Sequence, residues 1–248
     1  MKKVLVYDLP LRVFHWIFAL LFVFSFSVGN FIDDDSWLYA YHMLSGITMS
    51  FMVILRIFWG IWGTKYSKFS SFKLKPSELV GYFKHILSGD TKRDLGHNPA
   101  SSYAGVLMFI NTFLLLLTGL LMVTGTSKDF FEDIHELLGF SFLILVISHI
   151  VGVVLHELRN KDGMIFSMIN GKKDTVTGQD PISNQAPFVL VLLIILTLSF
   201  VSYLGKSYNT STQSLNILGT SLNLGEKDNK HDVEYYNKYY NGEEDDDD

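Results

Sequence analysis

Between Ile134 and His156 the chain reads I-H-E-L-L-G-F-S-F-L-I-L-V-I-S-H-I-V-G-V-V-L-H. About 20 predominantly apolar residues suffice to cross a bilayer as a helix, and this run is long enough. Besides the His156 that closes it, it carries two histidines, His135 and His149, 14 positions apart. At 3.6 residues per turn, 14 steps return a side chain to within about 40° of its starting direction, about 21 Å further along the axis. One helix face therefore presents an imidazole near each membrane surface. Ionisable groups at such depths are costly, and a functional reading is the default for them.

The rest of the composition agrees with a bilayer setting. The chain of 248 residues is 48% hydrophobic and holds 20 phenylalanines, a membrane protein's profile. It contains no cysteine. That excludes disulfides, thiolate zinc sites, cysteine-ligated iron–sulfur clusters and covalently attached c-type haem. Any haem must be held by His or Met alone. No basic face or nucleic-acid motif occurs, which argues against nucleic acid as a partner. The net charge of −5 is unevenly spread, since residues 207–248 carry ten acidic residues against three lysines.

Taken in order, five apolar runs are expected to span. Val13–Gly29 follows Asp8, Pro10 and Arg12 and is closed by no A-x-A-like site, so it reads as an uncleaved helix rather than a signal peptide. Tyr41–Trp62 follows a short acidic link. A polar connection over 63–102 includes Pro76–Leu87, which fits a short interfacial helix. Tyr103–Gly125 and the Ile134–His156 run come next, joined by an acidic link over 128–133. Phe188–Leu204 is a fifth span, with Pro187 at its start, where proline is tolerated. The expected fold is an all-α membrane protein: a four-helix transmembrane bundle holding two haems over 1–175, a linker and fifth transmembrane helix over 176–206, and an acidic tail over 207–248 expected to be disordered. Lys and Arg concentrate at the N-terminus and in the 63–102 and 157–185 segments. The positive-inside rule turns these to the cytoplasm and the tail to the periplasm of a bacterial inner membrane.

This topology gives each histidine a depth. His15 opens the first span and His149 lies near the inner end of the fourth, so both are on the cytoplasmic side. His42 opens the second span and His135 the fourth, both on the periplasmic side. The four pair as His15/His149 and His42/His135, two storeys of bis-histidine haem b. A small residue follows each at one turn, Ala19, Gly46, Gly139 and Gly152, leaving room for a flat macrocycle; small residues are also frequent at any helix contact in membranes. Arg56 sits 14 residues after His42, and Arg12 one turn before His15; either guanidinium suits the propionates of the inner haem, with snorkelling to headgroups as the alternative. His97, Asn98 and His156 near the cytoplasmic surface are candidate proton carriers for a quinone. Glu136, His85 and His231 read as surface groups.

Six stretches together resemble one family: Y-D-L-P-L-R-V-F-H-W at 7–16, R-I-F-W-G-I-W-G at 56–63, Y-S-K-F at 66–69, G-H-N-P at 96–99, T-G-L in the third span, and H-E-L-L-G with H-I-V-G in the fourth. They look like the bacterial cytochrome b561 family, nearest to the b-type subunits of nickel–iron hydrogenases. The likeness covers about residues 4–173. It implies four core helices, two b haems on His15, His42, His135 and His149, and electron exchange between the quinone pool and a periplasmic redox partner, a hydrogenase-like oxidoreductase or a c-type cytochrome. Such a chain is an electron-transfer subunit rather than a stand-alone enzyme, with lipid around it. The residues after G-H-N-P, Ala100-Ser101-Ser102-Tyr103, depart from the family's early glycine, so the third helix's start is open to difference. The fifth helix and tail lie outside the likeness. The rival classes are a haem-free membrane anchor for a dehydrogenase and a histidine-based metal transporter, whose ligands would converge at one depth.

Overall fold

The structure is a computed structural model describing residues 2–34, 36–88, 93–217 and 219–224. Five of its helices are long and apolar enough to cross a membrane: α1 (Leu9–Phe31), α2 (Ala40–Trp62), α4 (Pro99–Val123), α5 (Lys128–Asn160) and α7 (Pro187–Ser207). Shorter helices are α3 (Pro76–Ser88) and α6 (Met164–Asn170). The expected spans are all present.

Helix starts follow from local chemistry. The Asp8 carboxylate accepts the Leu11 N–H at 2.9 Å, with Pro10 just inside α1. Asn98 does the same for Ser101 at 2.8 Å, with Pro99 at the first position of α4. A side-chain acceptor on an orphan N–H followed by a residue with no N–H to lose is a strong start signal. This cap begins α4 at Pro99, four residues before the apolar run suggests.

The 128–133 link expected from its acidity is instead the first turns of α5, a helix of 33 residues. At 1.5 Å per residue it is about 50 Å long, more than the hydrocarbon core requires, so its polar ends stand in the headgroups or water. Charge alone did not break the helix because Asp and Glu are well placed at a helix N-terminus.

α1 packs antiparallel on α2, α4 on α5, and α2 on α4. The remaining face closes through aromatic rings: Phe142 of α5, 1% exposed, stacks on Phe22 of α1 at 4.5 Å and 21°. Phe18, Met49 and Val53 complete this central cluster. Phe142 lies seven residues from both His135 and His149, so the cluster separates two levels of the bundle. α7 lies outside the four, against α1 and α2.

Each end of the bundle is capped. On the side of the chain's N-terminus, β1 (Lys3–Leu5) pairs antiparallel with β2 (Lys172–Asp174), α6 packs on β2, and α3 joins the same end through α4 and α5. On the far side β3 (Tyr208–Asn209), β4 (Ser214–Ile217) and β5 (Thr220–Asn223) form an antiparallel sheet. Leu215 and Leu224 bury against Ala40 and Leu204. Within the expected tail, residues 208–223 thus include three short strands. The segment is polar in composition, but Ser214-Leu215-Asn216-Ile217 and Thr220-Ser221-Leu222-Asn223 alternate, with Gly219 at φ +82° between them. Alternation around a positive-φ glycine makes a hairpin. The final stretch, 225–248, lies outside the described residues, as does His231.

Candidate cofactor sites

The four histidines occupy two levels. At the far level, His42 of α2 and His135 of α5 face each other with ring centroids 5.9 Å apart and planes at 70°. That separation suits one metal ion between two ring nitrogens, at about 2 Å per metal–nitrogen bond.

Both rings are tethered by the other nitrogen. His42 Nδ1 lies 2.8 Å from the Ser25 carbonyl, to which its N–H donates. Ser25 Oγ donates to the His42 carbonyl at 3.2 Å. His135 Nδ1 lies 2.8 Å from Thr118 Oγ1. Thr118 donates its own hydrogen to the Leu114 carbonyl at 3.0 Å, so its lone pair accepts from the imidazole. In each case Nδ1 is engaged and the Nε2 lone pair is left uncommitted by these bonds, the arrangement by which metal-binding histidines are oriented. Backbone approach is equally close. A Cβ on Gly29 would stand 2.7 Å from His42 Nδ1, and one on Gly119 3.6 Å from His135 Cε1.

At the near level, His15 of α1 and His149 of α5 lie within electrostatic reach of each other. His15 Nδ1 is buried and has no hydrogen-bond partner. The glycines singled out in the sequence border open volume: a Cβ on Gly46, Gly139 or Gly152 would meet nothing within 4 Å. Ala19 is half-buried one turn beyond His15.

The two arginines part company. Arg12 gives Nε to the Asp8 carbonyl, Nη1 to the Ile169 carbonyl and Nη2 to Gln185 Oε1, all protein oxygens. It braces the start of α1 against α6 and the segment before α7. Arg56, 3% exposed, donates Nη2 to the Ser67 carbonyl at 2.8 Å and keeps Nε and Nη1 unpartnered. Asp8, next to it and fully buried, is already occupied by Trp59, Thr64 and Ser67.

Close by is a buried polar latch. Tyr82 of α3 lies 3.0 Å from His156 Nδ1, and His156 Nε2 lies 3.3 Å from Asp162. Lys173 of β2 reaches the same carboxylate at 3.1 Å and the Asp94 carbonyl at 2.6 Å. Asn98 donates to the Tyr82 hydroxyl at 3.0 Å. Burial by itself would raise the Asp162 carboxyl, but the His156 hydrogen bond and the Lys173 ammonium bring it down to about 2. Burial pushes the Tyr82 phenol up to about 12 and lowers Lys173. His156 and Asn98, candidates for proton carriage by sequence, are thus engaged in holding α3, α4, α5 and β2 together. His97 sits between the rings of Tyr7 and Phe72, at 5.3 and 4.8 Å. Burial, followed by the charges of Arg56 and Lys173, drives its pKa down to about 3, so it is neutral.

Ser25 and Gly29 escaped the sequence reading, and Thr118 and Gly119 entered it only as part of the T-G-L stretch, with no role at the histidines. A signal for two of them exists: each far-level histidine is preceded by a hydroxyl residue at a distance of 17, Ser25 to His42 and Thr118 to His135. That spacing has meaning only once the helical hairpins are known. Among the described residues no three His, Asp or Glu side chains gather into a metal cage.

Spanning helices with imidazoles facing one another across the bundle define a multi-pass helical membrane protein equipped for a metal-centred planar group. Residues 6–171 match the family model of prokaryotic cytochrome b561, and the chain belongs to that family. It is 25% identical over 216 residues to a probable Ni/Fe-hydrogenase B-type cytochrome subunit of Rhodobacter capsulatus, covering 69% of this chain and 81% of that one. A protein of the same description from Rhizobium leguminosarum bv. viciae is 26% identical over 214 residues, with 69% and 89% covered. The probable Ni/Fe-hydrogenase 1 B-type cytochrome subunit of Escherichia coli strain K12 is 23% identical over 222 residues, with 73% and 94% covered. No solved structure matches the chain significantly. A b-type cytochrome of this family carries haem b. The residues present fit that group: a facing pair of imidazoles at the far level, open volume beside three glycines, and an unpartnered buried guanidinium for its carboxylates.

Proposed function

We propose that this chain is a di-haem b-type cytochrome subunit that moves electrons across the bacterial inner membrane between the quinone pool and a periplasmic redox protein. Given its relatives' descriptions, a nickel–iron hydrogenase is the first candidate partner. The observation that carries the reading is the facing pair His42/His135, with both Nδ1 atoms tied to protein acceptors.

His42 and His135 would hold an outer haem, and His15 and His149 an inner one. Gly46, Gly139 and Gly152, with Ala19, border the macrocycles. Haem b held by two histidines would supply a one-electron couple, which suits electron transfer rather than oxygen chemistry. Ser25 and Thr118 fix the tautomer and aim of the outer ligands. The Phe18, Phe22 and Phe142 cluster keeps water out of the space between the two levels. Lys and Arg crowd the end that holds α3, α6 and the N-terminus, so that end faces the cytoplasm and the β3–β5 sheet faces the periplasm. Glu136 is exposed and solvated. A quinone exchanges electrons near the inner level, and the partner docks near the outer one.

The test is spectroscopic. Purified full-length protein is expected to show a reduced-minus-oxidised b-type spectrum with two haems per chain. His42→Ala or His135→Ala removes the outer haem alone; His15→Ala or His149→Ala removes the inner. A colourless protein would refute the reading in favour of a haem-free anchor.

A further inference from the structure

Four of the six stretches that resemble the family lie far apart in the chain and meet at one place, the end of the bundle beside His15. From the first, Tyr7 packs on His97, and Asp8 binds Trp59, Thr64 and Ser67. From the second, Arg56 places its guanidinium 4.9 Å above the Phe69 ring, and Gly60 is the residue that lets Phe69 in, since a Cβ there would overlap the ring. From the third, the Ser67 carbonyl accepts Arg56 Nη2, Phe69 packs edge-on against Phe72 at 5.4 Å, and Tyr66 fills the space beneath Gly96. From the fourth, His97 packs on Phe72 at 4.8 Å.

So much construction presents very few free atoms. Among the described residues, the buried side-chain nitrogens without a hydrogen-bond partner are His15 Nδ1, Arg56 Nε, Arg56 Nη1 and His97 Nδ1, all on these neighbouring residues. A buried cation with two unused N–H groups is heavily penalised unless an anion meets it. Asp8 does not supply that anion's oxygens, because its own are taken. Arg12 is spent on Ile169, Asp8 and Gln185, so it does not compete.

We infer that Arg56 and His97 form a two-residue clamp for the propionate carboxylates of the inner haem, with Phe69, Phe72 and Tyr7 holding the pair in place. This rests on the di-haem reading above. Arg56 contributes a charge and a planar two-donor edge that matches a carboxylate. His97 contributes one N–H. The charged or titratable neighbours are Asp8 before α1, Lys173 on β2, His149 on α5 and the Tyr7 phenol.

The experiment is a redox titration of each haem in the full-length protein at alkaline pH, where the propionates are ionised. The inner haem is the one absent from His15→Ala. A cation beside the propionates favours the reduced haem, so Arg56→Leu lowers the inner midpoint. The expected size is about a tenfold change in the oxidised-to-reduced ratio at fixed potential, equivalent to about 59 mV. His97→Phe keeps the ring packing, loses the N–H and shifts the same haem the same way by less. Arg56→Lys restores most of the wild-type value. Should Arg56→Leu fail to assemble, His97→Phe and Arg56→Lys decide the matter, since the first must move the inner midpoint and the second must not move it far. An unchanged inner midpoint in His97→Phe with both haems retained overturns the clamp, as does a shift confined to the outer haem. Slowed quinol-driven reduction with both midpoints unmoved also overturns it, because the donors would then serve a quinone head. Absence of haem from the unmodified protein is a separate result and sinks the reading beneath.

Discussion

Ser25 and Thr118 each hold one ring nitrogen of a far-level histidine, and single atoms decide how those rings point. Thr118→Val keeps the side chain's shape and removes the acceptor. The His135 N–H then keeps only its bond to the Leu115 backbone, and the ring is held less firmly. Orienting groups of this kind are worth about 10–100-fold in metal-site affinity, so the outer haem is expected to dissociate that much more readily in detergent while the inner stays. Back-titration with haem, followed by its visible spectrum, measures this. Two glycines give a contrasting pair. Gly29→Ala puts a methyl 2.7 Å from His42 Nδ1, and the ring must move, so outer-haem content falls. Gly139→Leu meets no protein atom at Cβ; the chain should fold and insert normally, yet lose the outer haem because the macrocycle needs that space. A Gly139→Leu protein retaining two haems would show that the open volume serves something else.

At the scale of elements, the end of the bundle that holds α3 and β2 adds buried ion chemistry to its apolar packing. The latch of Tyr82, His156, Asp162 and Lys173 ties α3, α5 and β2, with Asp162 and His156 fully buried. Asp162→Asn leaves the Lys173 ammonium buried without its ionised partner, with only neutral oxygens to accept from it. Removal of one partner of a buried pair costs about 3–5 kcal/mol, and the thermal midpoint in detergent should drop accordingly. The acid dependence has a definite sign. A folded-state pKa of about 2 lies below the ordinary carboxylate value near 4, so the carboxylate's contribution is complete above about pH 4. It is lost as pH falls from there toward 2. In Asp162→Asn that acid-dependent loss should shrink, a difference that unfolding scans at pH 7 and pH 3 would display.

The whole molecule is a four-helix core with additions. The family match ends at residue 171, before α7 and the β3–β5 sheet. If the core alone holds both haems, a chain truncated after Asn184 keeps two per molecule, though with Ala40 uncovered where Leu204, Leu215 and Leu224 had packed. Faster amide exchange at the start of α2 is the expected cost. Loss of either haem on truncation would place α7 within the functional core. Much of this plan was legible beforehand. Spans, helix count and the matching heights of the histidines come from hydropathy and from 14-residue spacing, properties carried along single helices. The sheet at 208–223 was missed because polar composition outweighed a short alternation, and the first turns of α5 because acidity was taken for a loop. Nothing along the chain says that Ser25 reaches His42, that Arg12 is used up on Ile169, or that His97 stands near Arg56. Depth and periodicity are one-dimensional and survive in the order of residues. Which hydrogen bonds are already filled depends on how separate helices and loops come together, and packing alone settles that.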